Sequence, residues 1–289
     1  MVYPHPLNWI SIVLCLITLP TKAQYYYNDL IALKQWEQKA QTYRTEKVSK
    51  ITETAILPSG EKQTNYTQFH TISQYADTLL TVRSMDGFTI TTQYLLNRSG
   101  HLLSEIENQP GMRTEIEYTR DDAGQIRQIT HVHTDSLLDF VDHEIHEWIY
   151  DANKKPTGLL RIVKQFDGTF DTSTVRFISD EKGQIIEEQT FKNKSLSNFF
   201  YYYYDATGNL TDIVRYNEKW KRLLPDQLFE YDEKNRLIQR MQLTGSRDVA
   251  YLIWRYGYES NGLLKEEALF NNKKEFTGSI RYFYSRQIP

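Results

Sequence analysis

A four-residue turn recurs seven times along this chain, and no other feature constrains its fold as much. The copies are Asn97-Arg98-Ser99-Gly100, Asp121-Asp122-Ala123-Gly124, Asp151-Ala152-Asn153-Lys154, Asp180-Glu181-Lys182-Gly183, Asp205-Ala206-Thr207-Gly208, Asp232-Glu233-Lys234-Asn235 and Glu259-Ser260-Asn261-Gly262. Their fourth positions lie 24, 30, 29, 25, 27 and 27 residues apart. Five copies end on Gly and one on Asn, the residues that accept a left-handed backbone most readily. Asp or Asn in first place accepts hydrogen bonds from the turn's own amides. The combination predicts a type I turn closed by a left-handed bulge residue, a three-residue hairpin loop. That loop sets the register, pairing Tyr204 with Leu210, Tyr231 with Leu237 and Tyr258 with Leu264. In the third copy Lys154 replaces Gly and Pro156 stands in the Leu position, which predicts an irregular hairpin.

A period of this length holds two strands and two turns. The second turns fall between the first, at Gln109-Pro110-Gly111, Asp135-Ser136, Asp167-Gly168, Asn193-Lys194, Asn217-Glu218, Gly245-Ser246 and Asn271-Asn272. All Asp-x-x-Gly turns then line one rim of a sheet and the second set the other. Earlier hairpins are expected at Pro58-Ser59-Gly60 and Asp86-Gly87. One stretch, Asp29 to Arg44, has helical spacing instead, through Leu30, Leu33, Ala40 and Tyr43, with Asn28 or Asp29 as cap. The predicted fold is all-β: an antiparallel meander of at least twelve strands in repeated hairpins, forming a strongly twisted or rolled sheet with one N-terminal helix over one end. An open sheet of more than about ten strands tends to curl. The expected division is residues 1–23 as a signal peptide, 24–50 as helix and lead-in, and 51–289 as the hairpin-repeat domain.

The series Tyr-Asp-x-x-Gly-x-Leu resembles the YD repeat of the RHS family. Tyr204-Asp205-Ala206-Thr207-Gly208-Asn209-Leu210 is its fullest copy, followed by the runs from Tyr231 and Tyr258. The resemblance covers the chain from about Tyr94 onward. In that family the repeats are β-hairpins wound into a spiralling sheet that can enclose a shell. No core-end motif and no variable toxin segment accompanies the repeats here, so the resemblance implies architecture and not toxin delivery.

Trp9 to Leu19 is an apolar run, broken by Pro20 and followed by Thr21-Lys22-Ala23, the layout of a secretory signal with cleavage after Ala23. Eleven residues do not span roughly 30 Å of hydrocarbon as a helix. The single cysteine, Cys15, lies inside this run behind Leu14, not behind the small residue a lipoprotein signal needs. Removal of the signal leaves no thiol for disulfides, zinc or nucleophilic catalysis. The net charge is −3 with both signs interspersed, which recommends no nucleic acid. The expected locations are the periplasm, association with the outer membrane, or secretion.

Two groups of residues are candidates for function. His131, His133, Asp142 and His146 share faces of neighbouring strands, in a set that holds zinc where the register permits; the plainer reading is a solvated polar face. Phe199, Tyr201 and Tyr203, with Tyr251, Trp254 and Tyr256, form aromatic runs suited to a protein or glycan partner. The Asp-x-x-Gly turns supply too few carboxylates for calcium loops, and Glu187-Glu188 and Glu266-Glu267 point to opposite faces, useless as acid/base pairs. No nucleophile elbow, phosphate loop or dinucleotide fingerprint is present. The sequence thus predicts a non-catalytic exported protein with no cofactor. It acts by binding, or as a structural part of the cell envelope, through an extended aromatic-rich β surface. A carrier of an apolar ligand inside the rolled sheet and a hydrolase with a rim cleft are the alternatives.

Overall fold

The computed structural model describes residues 25–165, 167–217, 221–244 and 250–287. The signal segment and its cleavage point lie outside these residues. Among the described residues one helix, α1 (Tyr27–Thr45), precedes eighteen strands. They are β1 (Val48–Ile56), β2 (Tyr66–Ile72), β3 (Thr78–Met85), β4 (Phe88–Leu96), β5 (Leu102–Gln109) and β6 (Met112–Arg120). Next come β7 (Ile126–Asp135), β8 (Phe140–Tyr150), β9 (Pro156–Lys164), β10 (Phe170–Ser179), β11 (Ile185–Lys192) and β12 (Ser195–Tyr204). The last are β13 (Leu210–Asn217), β14 (Arg222–Tyr231), β15 (Leu237–Thr244), β16 (Ala250–Tyr258), β17 (Leu264–Phe270) and β18 (Phe276–Arg286).

Each strand pairs antiparallel with the next, and β18 returns to β1 over eight residue pairs, from Val48↔Arg286 to Ile56↔Ser279. The expectation of a twisted or rolled sheet is therefore corrected: the sheet is a closed barrel. The physical reason is edge satisfaction. A roll leaves two rows of unpaired amides and carbonyls, whereas closure pairs them all.

The turns form as the repeat predicts. In the Asp205 copy the amide of Asp205 donates to the Asn209 carbonyl at 3.0 Å and that of Gly208 donates to the Asp205 carbonyl at 3.1 Å. Tyr204 pairs with Leu210, Tyr231 with Leu237 and Tyr258 with Leu264. The third copy is not irregular, contrary to expectation. Asp151 and Lys155 close it at 2.9 Å, Lys154 takes the left-handed conformation at φ +64°, and Tyr150 pairs with Pro156. Pro156 stands at a bulge in the β8–β9 register, a place where a missing N–H is tolerated.

Alternation assigns the faces. Along β8, His146 and Trp148 are buried while Glu147 and Ile149 are exposed. Registers carry this inner set round the wall: Ile129, His146 and Arg161 lie side by side, as do Phe177, Glu188 and Phe200. An eighteen-stranded barrel leaves room in its lumen, and α1 occupies one mouth. At 19 residues it is about 28 Å long. Its first turn meets β8, β11 and β12, its middle meets β5 and β6, and its last turn meets the turns before β3, β5 and β17. The contacted turns include Asn97–Gly100 and Glu259–Gly262, so the closed mouth is the Asp-x-x-Gly rim; the sequence places the helix over one end without choosing between the two. Tyr26 and Leu33 are buried there among Leu102, Ile129, Trp148, Phe177 and Phe200.

Candidate functional site

The helix is held at the lumenal wall by buried ionisable groups, not by a cap of its own. Neither Asn28 nor Asp29 caps it. Glu188, fully buried on β11, reaches across and accepts the amides of Tyr26 at 2.8 Å and Tyr27 at 3.0 Å, and the hydroxyl of Tyr202 at 2.7 Å. Burial pushes its carboxyl up to about 7 despite these three donors. Asp29 is thereby left for the wall, where its Oδ2 lies 2.6 Å from Nδ1 of His146. The other ring nitrogen of His146 lies 2.7 Å from Glu144 Oε1, and Arg161 closes on Glu144 through Nε and Nη2, both at 2.7 Å. Burial alone would discharge His146, but hydrogen bonds to Asp29 and Glu144 overcome it and raise the imidazole to about 9. Burial likewise works against the Glu144 carboxylate, and the bonds from His146 and Arg161 outweigh it, bringing it down to about 2. At neutral pH His146 is therefore an imidazolium and Glu144 a carboxylate, in a row that runs from Asp29 to Arg161. In mid-helix, Glu37 accepts Arg120 at 2.6 Å and the Leu102 amide at 2.9 Å.

Of the four metal candidates, the barrel brings two together. His131 and His146 have ring centroids 5.1 Å apart, and Asp29 completes a set whose ligand atoms lie within 4.8 Å of one another. His133 and Asp142 are paired one step along the same face, with His133 bonded to Thr114 at 3.0 Å, and fall outside that set. Burial and the neighbouring His146 charge push His131 down, and its Nε2 has no hydrogen-bond partner among the described residues. Both nitrogens of His146 are engaged, by Asp29 and by Glu144. The geometry is that of a charge-alternating latch. Beside it lies a cavity of about 230 Å³, between Asp29, Leu33 and Trp36 of the helix and Glu105, Tyr118 and His131 of the wall. Burial, then repulsion from Glu107, raises Glu105 to about 7.

The aromatic candidates divide by parity. Phe199, Tyr201 and Tyr203 stand on the outer face of β12, where Phe199 stacks on Tyr216 at 5.9 Å and meets Tyr201 edge-on at 5.5 Å. Tyr251 is also outward. Trp254 pairs with Arg240 and Tyr256 with Glu267, and both point into the lumen, where Arg240 lies 4.3 Å from the Trp254 ring. The two aromatic runs are therefore not one surface. Sequence reasoning missed Glu188, Asp29 and Arg161. Only Glu188 carried a signal, as an acid on the parity of Phe200 and Tyr202.

No known protein family matches the chain, and no curated protein does. Among solved structures, a porin-like protein from Bacteroides uniformis is similar at TM-score 0.44 and 9% identity, over 83% of this chain and 97% of that one. The TcdB2-TccC3-TEV crystal structure is similar at TM-score 0.30 and 12% identity, over 76% of this chain and 16% of that one. The Photorhabdus luminescens Tc holotoxin pore scores the same on all four measures. At scores this low the likeness assigns no activity, partner or compartment to this chain. Among the described residues, no helix is long and apolar enough to cross a membrane.

Proposed function

We propose that this is a non-catalytic exported barrel of the cell envelope, surrounded by water, that works by presenting its surfaces to a partner. The observation that carries this reading is the outer face one row in from the helix-closed rim. Around the wall that row holds Glu117, Glu147, Arg176, Glu187, Arg255 and Arg281, of which all but Glu187 are exposed. A lipid-facing band disfavours such residues, by roughly 2–4 kcal/mol for each Arg at the bilayer midplane and about 0–1 kcal/mol near its interfaces, less for Glu. The lumen supports the same conclusion from within. A mouth crossed by a helix, with the ionisable groups of the latch bonded to one another, suits neither solute passage nor an apolar cargo. The rim offers no cleft for hydrolysis either, because Asp121, Asp151, Asp205 and Asp232 each accept amides of their own turn.

The outer aromatic patch of Phe199, Tyr201 and Tyr203 is the surface best suited to an envelope or extracellular protein or glycan. Its large rings with polar tips are half-buried to exposed, Tyr203 at 47%. Two experiments test the reading. Detergent phase separation of the native product is expected to leave the protein in the aqueous phase; recovery only in the detergent phase would replace this reading with a membrane-spanning one. A photo-crosslinking residue in place of Tyr203, in exporting cells, is expected to form adducts that the same probe in place of Glu147 does not. Equal labelling from both positions would remove the patch from the proposal.

A further inference from the structure

The mouth opposite the helix has a regularity that the proposed function does not use. Apart from β2 and β16, every even-numbered strand emerges from this rim with an exposed or half-buried apolar residue in its first or second position. Five of these are well exposed: Phe88 at 65%, Phe170 at 64%, Leu196 at 52%, Leu223 at 45% and Phe276 at 36%. The β7–β8 turn adds Leu137 at 81% and Leu138 at 76%. Soluble proteins expose single apolar side chains often, but seldom at one end of the molecule in turn after turn. Near the opposite rim the exposed apolar side chains are Tyr75 at 79%, Ile149 at 49%, Tyr203 at 47%, Leu103 at 44% and Ile186 at 37%, fewer and on the whole less exposed.

Charge is distributed with the same bias. In the turns that carry Phe170, Leu196, Leu223 and Phe276, the basic residues are Lys164, Lys192 and Lys194, then Lys221, Arg222, Lys273 and Lys274. Against them stand Asp167, Asp171, Glu218 and Glu275, and Asp171 holds Lys192 at 2.9 Å. The opposite arc, with Phe88 and Leu137, carries Asp86, Asp135 and Asp139. Neighbouring tips are two strands apart, about 10 Å, with polar turn residues between them. A protein partner buries a continuous patch. Separate apolar tips on a ring, with basic residues beside them, match a planar surface whose interior is apolar and whose face is anionic.

We infer that this rim docks on an anionic lipid bilayer, with the tips at Phe170, Leu196, Leu223 and Phe276 entering the headgroup boundary while the charged wall stays in water. The protein then lies on a membrane without spanning it. This rests on the water-surrounded reading above, and the two fail differently. The test is flotation of the purified full chain with phosphatidylglycerol-containing vesicles and with pure phosphatidylcholine vesicles. The wild type is expected to float with the first and only weakly with the second, and to be released by high salt. The double variant Phe170→Ser/Phe276→Ser is expected to lose at least about tenfold in partitioning, whereas Tyr75→Ser keeps it; both change exposed positions and leave the fold intact. A fluorophore at position 196, and not one at position 75, is expected to be quenched by brominated lipid chains. Absence of flotation, or flotation indifferent to the tip variants and the lipid charge, overturns the docking and leaves the water-surrounded barrel standing. Binding that resists salt and yields only to detergent in every variant overturns both. Loss of a homo-oligomer in the tip variants, without vesicle binding by the wild type, would assign the rim to a second copy of the chain.

Discussion

Glu188 shows how much one buried side chain does here. It replaces a local helix cap from a strand about 160 positions away in sequence, and its removal leaves two helix amides and the Tyr202 hydroxyl without a partner. Glu188→Ala is expected to lower unfolding stability by roughly 1–3 kcal/mol, read from urea denaturation, with Glu188→Gln intermediate because one oxygen remains. The latch also titrates. His146 has a folded-state value of about 9 against an ordinary 6.5, so its stabilisation is complete below about 6.5 and is lost as pH rises towards 9. Glu188, at about 7 against 4.5, acts in the same sense between those values. The denaturation midpoint should therefore fall as pH is raised from 5 to 9, with His146→Asn flattening the upper part of the curve. An unchanged alkaline limb in that variant would show that the imidazolium does not hold the helix.

The hairpin is the unit whose properties transfer from copy to copy. Seven turns use the same two backbone bonds, and the residue that closes each is left-handed whether it is Gly208 at φ +89°, Asn235 at +58° or Lys154 at +64°. Lys154 is strained there by roughly 1–2 kcal/mol. Lys154→Gly relieves this, less about 0.4–1 kcal/mol for the freer unfolded chain, and is expected to raise the melting temperature slightly. Gly208→Val, which forces a β-branched residue into the same conformation, is expected to lower it. Equal melting of the two variants would mean that the turns do not set the register. The regularity of the third hairpin makes the same point: geometry common to all copies overrode an unfavourable sequence.

Closure is a property of the whole molecule and rests on β1 and β18. Deleting Phe276–Arg286 would expose the outer edges of both β17 and β1. Open edges template further pairing, so the truncated chain is expected to form aggregates or swapped oligomers in light scattering where the intact chain is monodisperse. A monodisperse truncated chain with undiminished sheet content would show that the wall tolerates opening. The division of labour round the barrel also exists only at this scale, with a latched helix at one mouth, charge on the outer wall and apolar tips at the other mouth.

The amino-acid sequence by itself determined the hairpins, their register and which residues share a face, because turn chemistry and a two-residue alternation act over a few positions. It placed Tyr204 opposite Leu210, and Phe199, Tyr201 and Tyr203 on the face opposite Phe200 and Tyr202, as the structure does. It also put Glu187 and Glu188 on opposite faces and a helix over one end of the sheet, without saying which end. Only the tertiary structure decided which face is the lumen. Rows rich in Tyr, Phe and charge occur on both sides of this wall, so composition does not distinguish them. It also decided that the sheet closes. A rolled sheet and a barrel have the same turns and the same alternation, and differ only in whether Ile51 meets Tyr284, a contact that local rules do not reach. For the same reason Asp29, His146, Glu144 and Arg161 could not be read as one row: their meeting depends on a helix folded into a mouth that does not exist until the last strand finds the first.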